Sequence, residues 1–502
     1  MTRSTKLKLN TVTSLLYQIV SLICGFVLPR LILQYYGSEV NGLLSSITQF
    51  LAMITLCECG VGAVVQSALY KPIAQNDEEE ISRIYVSAKK FFNKIALVLA
   101  IYICFLIVLF PVMNSSYSFA YTAILIVAIS ISSFAQYYFG IVYKLIINAA
   151  QLVYVQMIVG TATLLLNVLV CSVLMMSGVS IQIVKITTSL IFLLQPFTYW
   201  LCIKRKFNIN KKITYNEEPI KQKWNGFFQH IATVVLENTD VIVLTTLSTL
   251  SNVSIYAVYH LVTNGIKLAF VSLTTGMKSL LGDMYARSER DNLLMTFSRF
   301  EWVIHASVTY VYTVAAILIV PFVSVYTSSI IDANYIQPLF GYMMCFAMMV
   351  YMIRIPYNYM ILAAGHYKQT QISALVEAGL NIAVSIALVY KFGLVGVAFG
   401  TFVAMAYRTV YFAIYLRNNI INRPFRFFIK HILCDLTVII TMILSTNWIT
   451  MVGNGYFGWI ILACKVAMIC LVECIIINAV FYRNETKNMF VRLIRRGSKN
   501  GK

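Results

Sequence analysis

Charge, histidine and long polar connections are all scarce in this chain, and each shortage removes a class of protein. Only 12% of its 502 residues are Asp, Glu, Lys or Arg, against about 25% in soluble domains. The deficit runs the whole length, which excludes a soluble protein with a terminal anchor. The five His residues are scattered, with no ligand pair at helical spacing, and Cys57 and Cys59 around Glu58 fit no zinc spacing. No metal and no cofactor are expected. Gly60-Val61-Gly62 lies inside an apolar run without the strand–loop–helix setting of a nucleotide loop. No Ser/His/Asp arrangement occurs, so no catalytic residue is expected. The longest connections, 67–91 and 204–225, are too short to fold into a domain. That opposes a membrane glycosyltransferase or polymerase. It also opposes nucleic-acid binding, which needs a folded basic domain behind the net charge of +20.

What is present is apolar: 59% of the residues are hydrophobic and the mean hydropathy is +0.77. A helix crosses a bilayer with about 20 apolar residues. About fourteen such runs can be placed, at 9–33, 42–66, 92–112, 118–142, 153–176, 180–203, 226–249, 254–281, 300–326, 337–362, 371–391, 393–416, 429–447 and 456–481. The expected fold class is an all-α, polytopic membrane protein. The first run is too long for a signal peptide and lacks an A-x-A site, so it stays as a span. Lys and Arg fall in alternate connections, with only Arg30 and Lys391 on the opposite side, at span edges. By the positive-inside rule both termini are cytoplasmic.

An internal repeat recurs at an offset of about 214 residues. Lys8-Leu9-Asn10 matches Lys223-Trp224-Asn225, Ala149-Ala150 matches Ala363-Ala364, and Leu166-Asn167 matches Leu380-Asn381. The expected organisation is an N-terminal lobe (1–203, spans 1–6), a basic cytoplasmic linker (204–225), a C-terminal lobe (226–416, spans 7–12), spans 13–14 (417–482) and a basic cytoplasmic tail (483–502). Transporters built from parallel repeats bind substrate where the halves meet and rock about it.

Charges inside the runs are the functional signal, because each costs a few kcal/mol at depth unless partnered or wet. Glu237 and Asp240 are three apart, so they share a helix face. Lys267 follows in the next span. Glu58 and Arg354, two residues before Pro356, are also deep. These residues line a polar cavity or pair to lock the bundle. Arg30 and Arg408 could face either way. Lys185, Glu301 and His305 are expected to reach the headgroups. Asn41, Gln49, Gln66, Tyr256, Tyr259 and Asn264 could bond sugars, although Tyr256 and Tyr259 also fit as interfacial anchors. Gly396 and Gly400 predict close helix packing, and Asp77 to Glu80 a solvated helix start.

Three stretches carry a resemblance: LPRLILQYYGSEVNGLLSSITQFLAMITLCECGVGAVVQSALYKPIAQND (28–77), ENTDVIVLTTLSTLSNVSIYAVYHLV (237–262) and GLVGVAFGT (393–401). They resemble the Wzx-type polysaccharide flippases of the multidrug/oligosaccharidyl-lipid/polysaccharide exporter superfamily. The resemblance implies two six-helix lobes around a cavity that opens alternately. It implies transport of an undecaprenyl-diphosphate-linked oligosaccharide across the bacterial cytoplasmic membrane. In the related lipid II flippases, cavity cations meet the diphosphate and the last two helices form a groove for the lipid tail. By position, Lys267 and Arg354 would be those cations, with Arg30 and Arg408 behind them and Asn264 and Gln49 as sugar contacts. Asp435, Lys465 and Glu473 lie on the two groove helices. Glu58, Glu237 and Asp240 depart from the pattern, and serve ion coupling or pair with the cations. Implied partners are the lipid-linked oligosaccharide, membrane lipids, and a polymerase and glycosyltransferases. The alternatives are a cation-coupled drug exporter of the same superfamily, which prefers an acidic cavity and twelve spans, and a non-transporting component of a synthesis complex.

Overall fold

A computed structural model describes residues 3–58, 60–113, 117–215, 217–220, 227–453 and 455–483. Cys59, Lys221, the repeat match at Lys223-Trp224-Asn225 and the tail from 484 onward lie outside them. Among the described residues every regular element is helical. Among those same residues, eleven helical runs are long and apolar enough to cross a membrane. Two of these, Lys8–Glu58 and Tyr367–Ile421, are long enough for two crossings each, and each is bent at a glycine, Gly37 (φ 83°) or Gly393 (φ 54°).

The chain forms two compact units, Met1–Ser254 and Ile255–Lys502. The first holds α1 (Arg3–Ala52), a 3-10 segment (Met53–Glu58), α2 (Val61–Gln75), α3 (Glu78–Met113) and α4 (Phe119–Ala135). A π turn (Gln136–Gly140), α5 (Ile141–Ala149), α6 (Val153–Met176), α7 (Ile181–Phe192), α8 (Leu194–Lys206) and α9 (Phe227–Leu247) complete it. The acidic run does open a helix: the Asp77 carboxylate accepts from the Glu80 N–H at 2.9 Å, satisfying a donor that the first turn leaves orphaned. Further along, α3 is apolar on both faces. Phe92, Leu99, Leu106 and Phe110 are fully buried, while Ile101, Val108 and Val112 are 62–81% exposed. A helix apolar all round suits a surface that meets lipid.

The first half of α1 packs on α6, where a Cβ at Gly160 would lie 2.7 Å from the Tyr17 ring. Beyond Gly37 its second half packs elsewhere. Asn41 donates to Ser254 and Ser46 bonds Thr245, both at 2.7 Å, and Gln49 donates to the Glu237 carbonyl at 3.1 Å. A Cβ at Gly42 would collide with the Leu250 carbonyl at 1.9 Å. These contacts hold α9 and the start of α10 (Leu250–Ala286) within the first unit. The first unit ends at Ser254, inside α10.

The second unit continues α10 and adds α11 (Arg290–Tyr326), α12 (Pro338–Ile353), α13 (Ile355–Ala363), α14 (Tyr367–Leu416), a π turn (Arg417–Ile421), α15 (Arg426–Thr446) and α16 (Gly455–Phe481). Pro356 lacks the N–H needed to continue a helix, and α12 gives way to α13 at Arg354. α14 folds back on itself at Gly393: Asn381 bonds Thr401 at 2.9 Å and Ser385 bonds the Val397 carbonyl at 3.4 Å. Gly396 and Gly400 make that hairpin possible, since a Cβ at either would meet Leu388 O or Ser385 Oγ at 2.6 and 2.3 Å. The packing role expected for this pair is what the hairpin shows.

Candidate functional site

The second unit gathers its buried charge in two places. In the first, Glu377 of α14 receives two guanidiniums. Arg354 reaches one carboxylate oxygen at 2.5 Å and Arg408 the other at 2.6 Å. All three residues are buried. The break at Arg354 aims its side chain at α14, and the fold of α14 at Gly393 puts Glu377 and Arg408 side by side. Two cations on one carboxylate leave the trio with one net positive charge. Aromatic faces shield it: Arg354 sits 4.6 Å from the centroid of Tyr351 and Arg408 4.9 Å from that of Phe412. The Arg408 Nε is buried with no hydrogen-bond partner among the described residues. Lys267, half-buried on α10, approaches the same Tyr351 ring at 5.0 Å. Lys267, Arg354 and Arg408 are thus brought to one locus. Asn264 is half-buried on α10 one turn from Lys267.

The second place overturns an expectation. Glu301 and His305 do not reach for headgroups; they are 2% and 1% exposed. Glu301 accepts from Tyr357 at 2.6 Å, from Arg423, and from His431 Nε2 at 3.3 Å. His305 Nδ1 meets Asp435 at 2.6 Å and its Nε2 meets the Tyr357 hydroxyl at 3.2 Å. The two imidazoles stack at 4.6 Å, and His431 Nδ1 bonds Tyr482 at 2.7 Å. Asp435, expected on a tail groove, faces into this cluster. Burial is tolerable because every charge finds an opposite charge or a hydrogen bond. A carboxylate only accepts, so His305 Nδ1 donates to Asp435. The cluster joins α11, α13 and α15. Of the other two residues placed on the groove helices, Lys465 is exposed and Glu473 half-buried on α16.

In the first unit, Glu58 ends the 3-10 segment and accepts from the Tyr137 hydroxyl. It lines a cavity of about 390 Å³ with Ser132, Gln136, Tyr137, Lys144 and Gln195. The π turn widens the helix there, a distortion that recurs at functional sites. Glu237 and Asp240 are neighbours on α9 but not equally placed: Glu237 is exposed and Asp240 6% exposed. Gln49 gives one amide N–H to the Glu237 carbonyl, and Arg30 is half-buried behind Pro29. Lys185 is half-buried on α7. Tyr259 is fully buried, donating to the Tyr335 carbonyl and accepting from Gln337 N–H, so it is neither a sugar contact nor an interfacial anchor. Sequence reasoning missed the roles of Glu377, Arg423, His431 and Asp435. The available signal was charge inside apolar runs; the pairings span 23 to 130 residues.

No protein-family model matches the chain, and no curated protein matches it in sequence. Solved structures do match in fold. The lipid II flippase MurJ in an inward closed conformation superposes with a TM-score of 0.70 at 16% identity, over 95% of this chain and 99% of that one. An inward-facing multidrug resistance MATE family transporter of the MOP superfamily gives 0.59 at 16% identity, over 80% of this chain and 94% of that one. The Vibrio cholerae MATE transporter VcmN gives 0.59 at 12% identity, over 85% and 99%. The chain has the fold these transporters share, a polytopic helical membrane architecture.

Proposed function

We propose that this protein is a flippase carrying an undecaprenyl-diphosphate-linked oligosaccharide across the bacterial cytoplasmic membrane, for assembly of a surface polysaccharide. A diphosphate-sugar cannot cross hydrocarbon unaided, whereas its isoprenoid tail can stay there. The protein's task is to give the head a polar, cationic path. The observation that carries the reading is the meeting of Lys267 and Arg354 on Tyr351, beside an Arg354–Glu377–Arg408 trio with surplus positive charge. Asn264 and Gln49 belong to the proposed sugar contacts and Arg30 to the outlying cations. Both termini are cytoplasmic in this reading, and the halves alternate in access. The near-complete alignment with the MurJ fold, against 80–85% of the chain for the MATE structures, supports it.

A second reading, a cation-coupled small-molecule exporter, draws on the Glu58 cavity, with Glu237 and Asp240 as further coupling groups. The deciding experiment is Lys267→Ala with Arg354→Ala in cells that make the polymer. Loss of surface polysaccharide, with lipid-linked repeat units accumulating inside and the protein still in the membrane, supports the flippase. Unchanged export, or changed drug susceptibility alone, removes it.

A further inference from the structure

One hollow in the first unit plays no part in that reading. It lies between α3, the π turn and α8, encloses about 700 Å³, and has Tyr138, Phe139, Phe197 and Trp200 in its wall. Phe139 and Phe197 are 56% and 58% exposed. Exposed aromatic side chains on a membrane-spanning chain sit against lipid. Lys89, Lys90 and Lys211 also line the hollow, and no lining residue is acidic. The Lys89 ammonium lies 4.6 Å from the Tyr138 ring centroid, donates to the Tyr138 carbonyl that the π turn presents, and is repelled by Lys211. Like charges held together beside an apolar wall call for an anion. Basic pockets between membrane helices hold lipid head groups in this way. A soluble anion would leave the aromatic wall uncovered.

We propose that this hollow binds an anionic glycerophospholipid of the adjoining leaflet. Its phosphate sits among Lys89, Lys90 and Lys211, and an acyl chain lies along Tyr138, Phe139, Phe197 and Trp200. The proposal is independent of what the protein transports.

Trp200 provides the readout. The full chain is placed in phosphatidylcholine nanodiscs doped with bromine-labelled phosphatidylglycerol or bromine-labelled phosphatidylcholine. The Trp200 signal is taken as the difference between the unsubstituted protein and Trp200→Phe. The anionic probe is expected to quench it at a lower mole fraction than the zwitterionic one. Lys89→Gln, Lys90→Gln and Lys211→Gln together should weaken that preference by about fivefold per lysine. Should the triple variant fail to fold, Lys211→Gln alone, outside the helices, carries the test with a severalfold loss. Equal quenching by both probes, or a preference indifferent to the lysines, overturns the proposal. So does displacement of the brominated lipid by an equimolar short-chain polyprenyl diphosphate, which would assign the hollow to the carrier.

Discussion

Lys267 and Arg354 lie 5.0 and 4.6 Å from the centroid of one ring, that of Tyr351. A cation over an aromatic face gains about 0.5–2 kcal/mol, so the ring adds to what holds both charges in place. Tyr351→Leu is expected to lower polysaccharide export several-fold. Tyr351→Phe keeps the face and should export at close to the unsubstituted rate. Quantifying surface polymer in cells complemented with each variant tests this, and equal export by both variants removes the ring from the site.

Glu377 pairs with two guanidiniums at once. Taking away one partner of a buried pair costs about 3–5 kcal/mol. Glu377→Gln should therefore lower the unfolding temperature in detergent. Adding Arg408→Met to Glu377→Gln should recover part of that loss, since one of the stranded cations is gone. A double variant no more stable than the single one shows that the two residues do not interact.

The Glu301–His305–His431–Asp435 cluster ties α15 to α11. Glu301→Ala leaves Arg423 and His431 without their carboxylate, at a cost of about 3–5 kcal/mol. The loss is local: hydrogen exchange should rise over residues 423–435 and stay level in α3. Uniform exchange across the chain would show that the cluster does not hold α15.

Gly400 faces Ser385 with no room for a Cβ, while Gly379 on the same helix has nothing within 4 Å. Overpacking of this kind costs about 1–3 kcal/mol. Gly400→Ala should destabilise the protein. Gly379→Ala should be neutral or gain about 0.5–1 kcal/mol by restricting the unfolded chain. Thermal unfolding of the two variants side by side gives the comparison.

Much of the architecture was legible because hydropathy reports the bilayer directly. The helices follow the apolar runs, α3 opens at its acidic residues, and Gly396 and Gly400 mark the α14 hairpin. The pairing of charges was not legible. Glu301 and His305 stand near the start of an apolar run, which reads as snorkelling, yet their partners lie on α13, on α15 and around Arg423. Nothing local to α11 announces those residues. The packing of α9 was hidden for a similar reason: Ser46 and Gln49 of α1 bond Thr245 and the Glu237 carbonyl, and Asn41 bonds Ser254 at the start of α10, all 188 to 213 residues away. Lys267, Arg354 and Arg408 were legible as embedded cations, and Tyr351, an ordinary tyrosine in an apolar run, was not legible as the ring on which Lys267 and Arg354 meet.

The stretch from Gln136 to Gly140 borders both hollows of the first unit, with Gln136 and Tyr137 on the Glu58 side and Tyr138 and Phe139 on the lysine side. Deleting one residue there to restore regular winding would swing whatever follows by about 100°. Both chambers would lose their walls in a single step. Five consecutive residues thus wall both chambers, so the two share one stretch of backbone.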